Sequence, residues 1–366
     1  MKKLLALILA LIMTLALVAC GDQTAPDSSS DAAADDGWYE NPEYTLIFST
    51  GDAETNIMCT MWKAWAEKVY EVTKGRVEVE IHYNGELVAP PMALTALREN
   101  TVDVAFTIQG TDPSLALDPL VEMVNTVSVM QRPSTVYTKL LEDPAFAKQY
   151  EDYKVIALVS QWNGVIATSS KEVRTPADLK GLNMGVCSAL HASFMQSVGA
   201  TPVFCEPNGE YTALEKGVVD GACYLPWDSM ISQSWAEQID YAVMMPAHNS
   251  TNGILMSLDT WNSLPTEVQE QIDSIQDWFL EYIDRTFIER SIECMQICEE
   301  EYGVNLIWLT DAEKQAFQEY RDQCVAAYVA EHEGAAGMME LYNQLVEEYS
   351  AEEYRFSDFD WTAPVW

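Results

Sequence analysis

The side chains able to carry acid–base, nucleophilic or metal chemistry in this 366-residue chain are four histidines, eight cysteines and 57 acidic residues. Their spacing points away from catalysis. His82, His191, His248 and His332 are scattered, and none sits at a recognisable metal-ligand spacing. No G-x-S-x-G, H-E-x-x-H, G-x-x-x-x-G-K-[ST] or G-x-G-x-x-G occurs. Cys294 and Cys298 stand one helical turn apart but have no nearby third ligand in sequence. Acidic pairs occur everywhere in so acidic a chain, so pairing by itself carries no information. We therefore expect no enzyme activity, no cofactor and no metal, and read His191 as a polar contact. What remains is recognition chemistry. "SQWNG" brings together Gln161, Trp162 and Asn163, and "YLPW" brings together Tyr224 and Trp227. Aromatic faces beside amides suit non-covalent capture of a ligand with a flat or apolar body. Core or hinge packing of Trp162 and Trp227 is the structural alternative.

The elements that would position these groups follow an α/β grammar. "YTLIFST" (44–50) reads as a buried strand. Met58, Met61, Trp62, Trp65 and Val69 form the apolar stripe of a helix that Gly75 stops. Val77, Val79, Ile81 and Tyr83 alternate with polar residues up to an Asn84–Gly85 turn, as a half-buried strand does. A helix then runs into a strand through "TALRENTVDVA" (95–105). Nearly the same words, "TALEKGVVDGA", return at 212–222. Between them, 154–159 and 164–169 are strand-like, Thr175-Pro176-Ala177-Asp178 starts a short helix, and 182–186 and "TPVFC" are further strands. The order favours helices packed on a largely parallel sheet. The repeated joint predicts two lobes, each with ligand-facing residues beyond the carboxyl ends of its strands. Asp103 and Asp220 begin the matching strands and read as braces. From 266 to 303 the chain has no interior Gly or Pro and reads as one long helix, followed by a strand (304–309) and another helix (311–332).

The amino terminus has two lysines, an apolar run from Leu4 to Ala19, and then Cys20. The run is short for a bilayer span, which needs about 20 apolar residues, and reads as an export signal. Residues 21–37 are small, polar and acidic and read as a tether. The cysteines left beyond Cys20 are odd in number, so they cannot all pair within the chain; most read as small buried apolar residues. A net charge of −37 argues against nucleic acid and against charge-driven adhesion to anionic lipid.

Several motifs occur in a set order: "WAEKVYEVTKGRVEVEIHYNGEL", "TALRENTVDVAF", "VRTPADLKGLNM", "VGATPV", "EYTALEKGVVDG" and "WNSLPTEVQEQI". Over roughly 44–325 the chain resembles the DctP-type extracytoplasmic solute receptors of TRAP transporters. "LVAC" (17–20) resembles a lipoprotein lipobox. The resemblance implies an α/β, two-lobed periplasmic-binding-protein-like fold of the class II type, with a ligand cleft between lobes and a long bracing C-terminal helix. It implies capture of a small organic ligand, often an organic acid, and delivery to the small and large TRAP membrane subunits. It also implies an extracytoplasmic receptor anchored through lipid on Cys20. The expected segments are a signal peptide (1–19), the lipidated cysteine and linker (20–42), lobe 1 (43–160 with part of about 246–275), lobe 2 (161–245 with part of the C-terminal helices) and the long helix and C-terminal helical region (265–345). A receptor for an ABC-type permease or a sensor is the alternative, and a surface-anchored hydrolase a further one.

The family's usual carboxylate-gripping arginine falls on Gly185 in this chain, and a frequent asparagine falls on Tyr224. Glycine offers neither charge nor fork. The residues assigned to the ligand are Glu54 and Gln109 from lobe 1, with Asp52, Asn56 and Gly110 at the same mouth. Lobe 2 supplies Trp162, Asn163, Gly185, Cys187, Tyr211, Tyr224 and Trp227.

Overall fold

Among the described residues, nine strands pair into one mixed sheet. The strands are β1 (Tyr44–Ser49), β2 (Val77–His82), β3 (Val104–Ile108), β4 (Tyr153–Thr168), β5 (Asn183–Val186), β6 (Thr201–Phe204), β7 (Gly221–Pro226), β8 (Tyr241–Ser257) and β9 (Asn305–Trp308). The structure is a computed structural model and describes residues 37–123, 132–205 and 207–351. Cys20, the export signal and the tether lie outside the described residues. The strand order is β2-β1-β3-β8-β4-β7-β5-β6, with β9 beside β8.

The order explains the two halves. β1 pairs in parallel with β2 and β3, and β5 pairs in parallel with β6 and β7. β4 and β8 are long antiparallel partners from Tyr153↔Ser257 to Thr168↔Tyr241. β3 joins the carboxyl end of β8, whereas β7 joins the carboxyl end of β4. One strand pair therefore belongs to both halves. This corrects two expectations. The stretches 154–159 and 164–169 are one strand, and the sheet is mixed, because β4 and β8 run against each other, β8 against β3 and β4 against β7, while β9 lies parallel to β8. Pairing between β4 and β8 slips between Gln161 and Gly164. A Cβ at Gly164 would lie 2.8 Å from the Tyr224 carbonyl oxygen and 2.9 Å from the His248 Cβ, so only glycine allows the strands this close.

Alternation in the strands divides the core. In β3, Val104 and Phe106 join Phe48, Trp62 and Trp65 on one face, and Ala105 joins Leu97, Tyr137 and Leu158 on the other. A third cluster, with Val186, Phe194, Leu225 and Trp227, fills the second half. The helix Ile57–Val72 starts at Asn56, whose side chain accepts from the Met58 N–H. The two repeated joints fold alike. Asp103 accepts from the Ile47 N–H at 2.8 Å, and Asp220 accepts from the Asn183 N–H at 2.8 Å.

The predicted long helix is divided into Thr266–Asp273 and Gln276–Glu300. No Gly or Pro makes the break. The Ser274 hydroxyl donates to the Gln271 carbonyl, and Ile275 leaves helical geometry to bury its side chain among the apolar residues of the first half. Gln276–Glu300 still braces both halves. It packs on Ile57–Val72 and Pro133–Lys139 at one end and on Trp227–Ser232 at the other. Among the described residues, no helix is long and apolar enough to cross a membrane.

Candidate functional site

A cavity of about 390 Å³ opens where the carboxyl ends of the parallel strands of both halves converge. Asp52 follows β1, Ile108 ends β3 and Gly110 comes just after it. From the second half, Val186 ends β5, Phe204 ends β6 and Pro226 ends β7. The shared strand β8 adds His248, Ser250, Thr251 and Asn252. Phe106, Tyr224 and Trp235 supply aromatic surface. The lining carboxyls are Asp52, Glu122 and Asp228, and among the described residues no lysine or arginine lines the cavity.

Two glycines, one in each half, make room for carboxyl groups. A Cβ on Gly110 would collide with Glu122 Oε1. A Cβ on Gly185 would lie 2.6 Å from Glu210 Oε1. Glu210 is fully buried, and its Oε2 accepts a 2.6 Å hydrogen bond from the Tyr224 hydroxyl. Where the resemblance places an arginine, this chain therefore seats an acid on a bare backbone, held by the tyrosine that replaces the usual asparagine. Burial raises the Glu210 carboxyl, with the Tyr224 hydrogen bond acting against it. Burial also raises Asp52, and pushes Glu122 up to about 7 although the Thr251 hydroxyl donates to it at 2.9 Å.

A second cluster forms the wall between these acids. Cys187 Sγ lies 3.3 Å from His191 Nδ1, and His191 Nε2 lies 3.2 Å from His248 Nδ1. Ser188 Oγ is 3.0 Å from His191 Nδ1, and Ser250 Oγ is 2.9 Å from His248 Nε2. Cys187 and His248 line the cavity, whereas His191 is buried behind them. Burial holds both imidazoles neutral: His191 is lowered to about 3, with the Arg321 charge adding to the effect, and His248 falls well below its usual range. No histidine stands at a recognisable metal-ligand spacing in the sequence, yet the fold brings Cys187, His191 and His248 within 4.8 Å of one another. His191 follows Cys187 by one turn, a spacing visible in sequence, but His248 arrives from a distant strand.

The residues assigned from sequence fall in different places. Cys187 and Tyr224 line the cavity, and Gly185 stands behind it against Glu210. Gln109 does not reach the cavity. It is buried, donates to the Thr107 hydroxyl at 2.9 Å and covers Gly253, while its neighbours Ile108 and Gly110 face the cavity. Trp227 is a core residue, with Pro226 and Asp228 facing the cavity on either side of it. In both cases the chain faces the cavity one residue away from the expected position. Tyr211 points outward, its hydroxyl 3.2 Å from Glu237. Glu54 is exposed and pairs with Lys63 at 2.8 Å. The side chains of Trp162 and Asn163 lie outside the described residues. Sequence reasoning did not find Glu122, Glu210 or Asp228. Among 57 acids, only the glycines that accommodate them could have marked two of them.

The family model described as bacterial extracellular solute-binding protein, family 7, matches residues 48–332. A monocarboxylate 2-oxoacid-binding periplasmic protein of Nostoc sp. is 30% identical over 217 residues, covering 56% of this chain and 57% of its own length. An outer membrane transporter protein, TsaT, of Comamonas testosteroni is 30% identical over 183 residues, covering 48% of this chain and 53% of its own. The chain thus spans about half the length of these curated relatives. Among solved structures, a marine metagenome TRAP solute binding protein, described as specific for aromatic acid ligands, superposes with a TM-score of 0.76. It is 21% identical over 84% of this chain and 100% of its own.

Proposed function

The chain belongs to family 7 of the bacterial extracellular solute-binding proteins, and from that premise we propose that it is an extracytoplasmic receptor that captures one small organic solute and hands it to TRAP membrane subunits. Lipid on Cys20 would keep the receptor beside its permease. The register slip in the shared strands, near 161–164 and 246–248, would be the hinge about which lobes bounded near 160 and 245 close. The reading is a receptor and not an enzyme: the cavity groups bind and orient.

The solute class follows from the wall. Its aromatic surfaces suit a flat or apolar body, in keeping with the aromatic acids named for the marine relative. Its polar groups are acids, hydroxyls, amides, thiols and an imidazole, and among the described residues no guanidinium lines it to fork onto a carboxylate. We therefore assign a solute rich in hydrogen-bond donors, an aromatic or aliphatic amine or polyol. A ligand N–H or ammonium beside Glu122 would offset the burial that raises this carboxyl and favour its ionised form. The single observation that carries the assignment is the pair of glycines that seat acids, Gly110 with Glu122 and Gly185 with Glu210.

The test is calorimetric titration of chelator-treated protein with benzoate-type acids, the matching amines and neutral polyols. Saturable one-to-one binding of amines or polyols, with benzoates silent, supports the assignment. Tight binding of the acids alone removes the donor-rich class and leaves the receptor. Turnover of a bound compound would remove the receptor reading in favour of the hydrolase.

A further inference from the structure

We propose that Cys187, His191 and His248 form a binding site for one divalent ion of the zinc type, set in the cavity wall with a coordination position open to the cavity. The three residues each offer a ligand atom, all within 4.8 Å of one another. The contact between the two histidines matches the shape of a metal shell. His191 Nε2 and His248 Nδ1 are 3.2 Å apart, and a tetrahedral zinc with nitrogens at about 2.0–2.1 Å sets two nitrogens about 3.3 Å apart. Cys187 Sγ lies 3.3 Å from His191 Nδ1, the ring nitrogen opposite the one that faces His248. The three ligand atoms lie within 4.8 Å of one another, so a turn of the Cys187 side chain toward His191 Nε2 and His248 Nδ1 would bring all three onto one ion.

The surroundings fit as well. A metal-bound imidazole is oriented by a partner on its other nitrogen. Ser188 Oγ is 3.0 Å from His191 Nδ1, and Ser250 Oγ is 2.9 Å from His248 Nε2. These contacts leave His191 Nε2 and His248 Nδ1 facing each other. The mixed sulfur and nitrogen donor set selects zinc, cobalt or nickel over magnesium or calcium, which take oxygen ligands. Three protein ligands with a cavity on the remaining side is the arrangement of an open zinc site. Cys187 and His248 border the cavity, so a lone pair of the solute or a water could complete the shell. Cys187 and His191 belong to the second half, and His248 to the shared strand β8. An ion would therefore tie the helix start after β5 to the strand on which the lobes turn.

The competing account is a metal-free hydrogen-bond chain from Cys187 through His191 and His248 to Ser250. Spectroscopy separates the two without any knowledge of the solute. Chelator-treated protein is titrated with cobalt(II) alone, and zinc(II) affinity is measured by competition with a chromophoric chelator. One equivalent of cobalt should produce a thiolate-to-metal charge-transfer band in the near ultraviolet, which zinc then bleaches. Cys187→Ser should abolish that band, while Cys324→Ser keeps it. Ser250→Ala should weaken zinc by about 10–100-fold, as the loss of an orienting partner does. Absence of the band in the unaltered protein, or its persistence in Cys187→Ser, overturns the proposal and leaves the hydrogen-bond chain. Because solute plays no part in the readout, the outcome is independent of the solute class assigned above.

Discussion

Gly185 is the residue where this chain departs most from its resemblance, and the reason is steric as well as electrostatic. A methyl group there would meet Glu210 Oε1 at 2.6 Å and the Ala222 Cβ at 3.0 Å. Gly185→Ala should therefore lower stability by about 1–3 kcal/mol, the usual cost of overpacking, in urea denaturation. Equal stability would mean that Glu210 moves aside at no cost. Asp118 poses a different problem at the same scale. It is fully buried, takes hydrogen bonds from the Tyr137 and Tyr150 hydroxyls, and burial pushes it up to about 7. A carboxyl whose folded pKa is raised stabilises most below its unfolded pKa, near 3.8, and loses that contribution as pH rises to about 7. His191, lowered to about 3, slopes the other way over part of this range. The clean readout is a difference: the fall in stability between about pH 4 and 7 should be smaller in Asp118→Asn than in the unaltered protein. Parallel pH profiles would show that Asp118 titrates as an ordinary carboxyl.

The repeated helix-to-strand joint is the clearest lesson at the scale of elements. Its sequence copies were legible, and so was the bracing role of their aspartates. Asp103 and Asp220 each take a backbone N–H from the next strand. Removing either by alanine leaves that donor unpaired and should cost about 1–3 kcal/mol. The sites share no partner, so the double variant should lose close to the sum of the two. A double variant no weaker than one single variant would show that the two halves do not fold as one cooperative unit. Asp284 is a less legible case. From the long helix it accepts from the Ser134 N–H at 2.7 Å and from the Thr135 hydroxyl at 3.0 Å, and so holds the start of the helix Pro133–Lys139. Nothing in the local sequence links 134 to 284, because the contact exists only once the helix crosses the sheet.

At the scale of the molecule, β4 and β8 make two halves into one machine. Each strand is long enough to lie in both halves, and the pairing between them slips where they pass the cavity. A solute held between the halves should favour the closed form. A bound amine or polyol at a hundredfold excess over its dissociation constant should raise stability by about 2.7 kcal/mol, read by thermal denaturation. The same sample should show a smaller radius of gyration in solution scattering. Stabilisation with no compaction would mean that binding occurs in an already closed cavity.

By itself, the sequence determined what depends on neighbours along the chain. Period-two and helical patterns set most elements, Thr175-Pro176-Ala177-Asp178 set a capping box, and the order of motifs identified the family. Tertiary structure decided what depends on residues meeting across the fold. It merged 154–159 and 164–169 into one strand because β8 pairs along both. It turned Gln109 and Trp227 into the core, since each begins a helical turn just after its strand, where the chain bends and the residues on either side face the cavity instead. It also brought Glu122 beside Gly110, Glu210 beside Gly185, and His248 beside His191. These last contacts give the cavity its chemistry. A glycine in a sequence does not say which distant carboxyl takes up the space its missing side chain leaves.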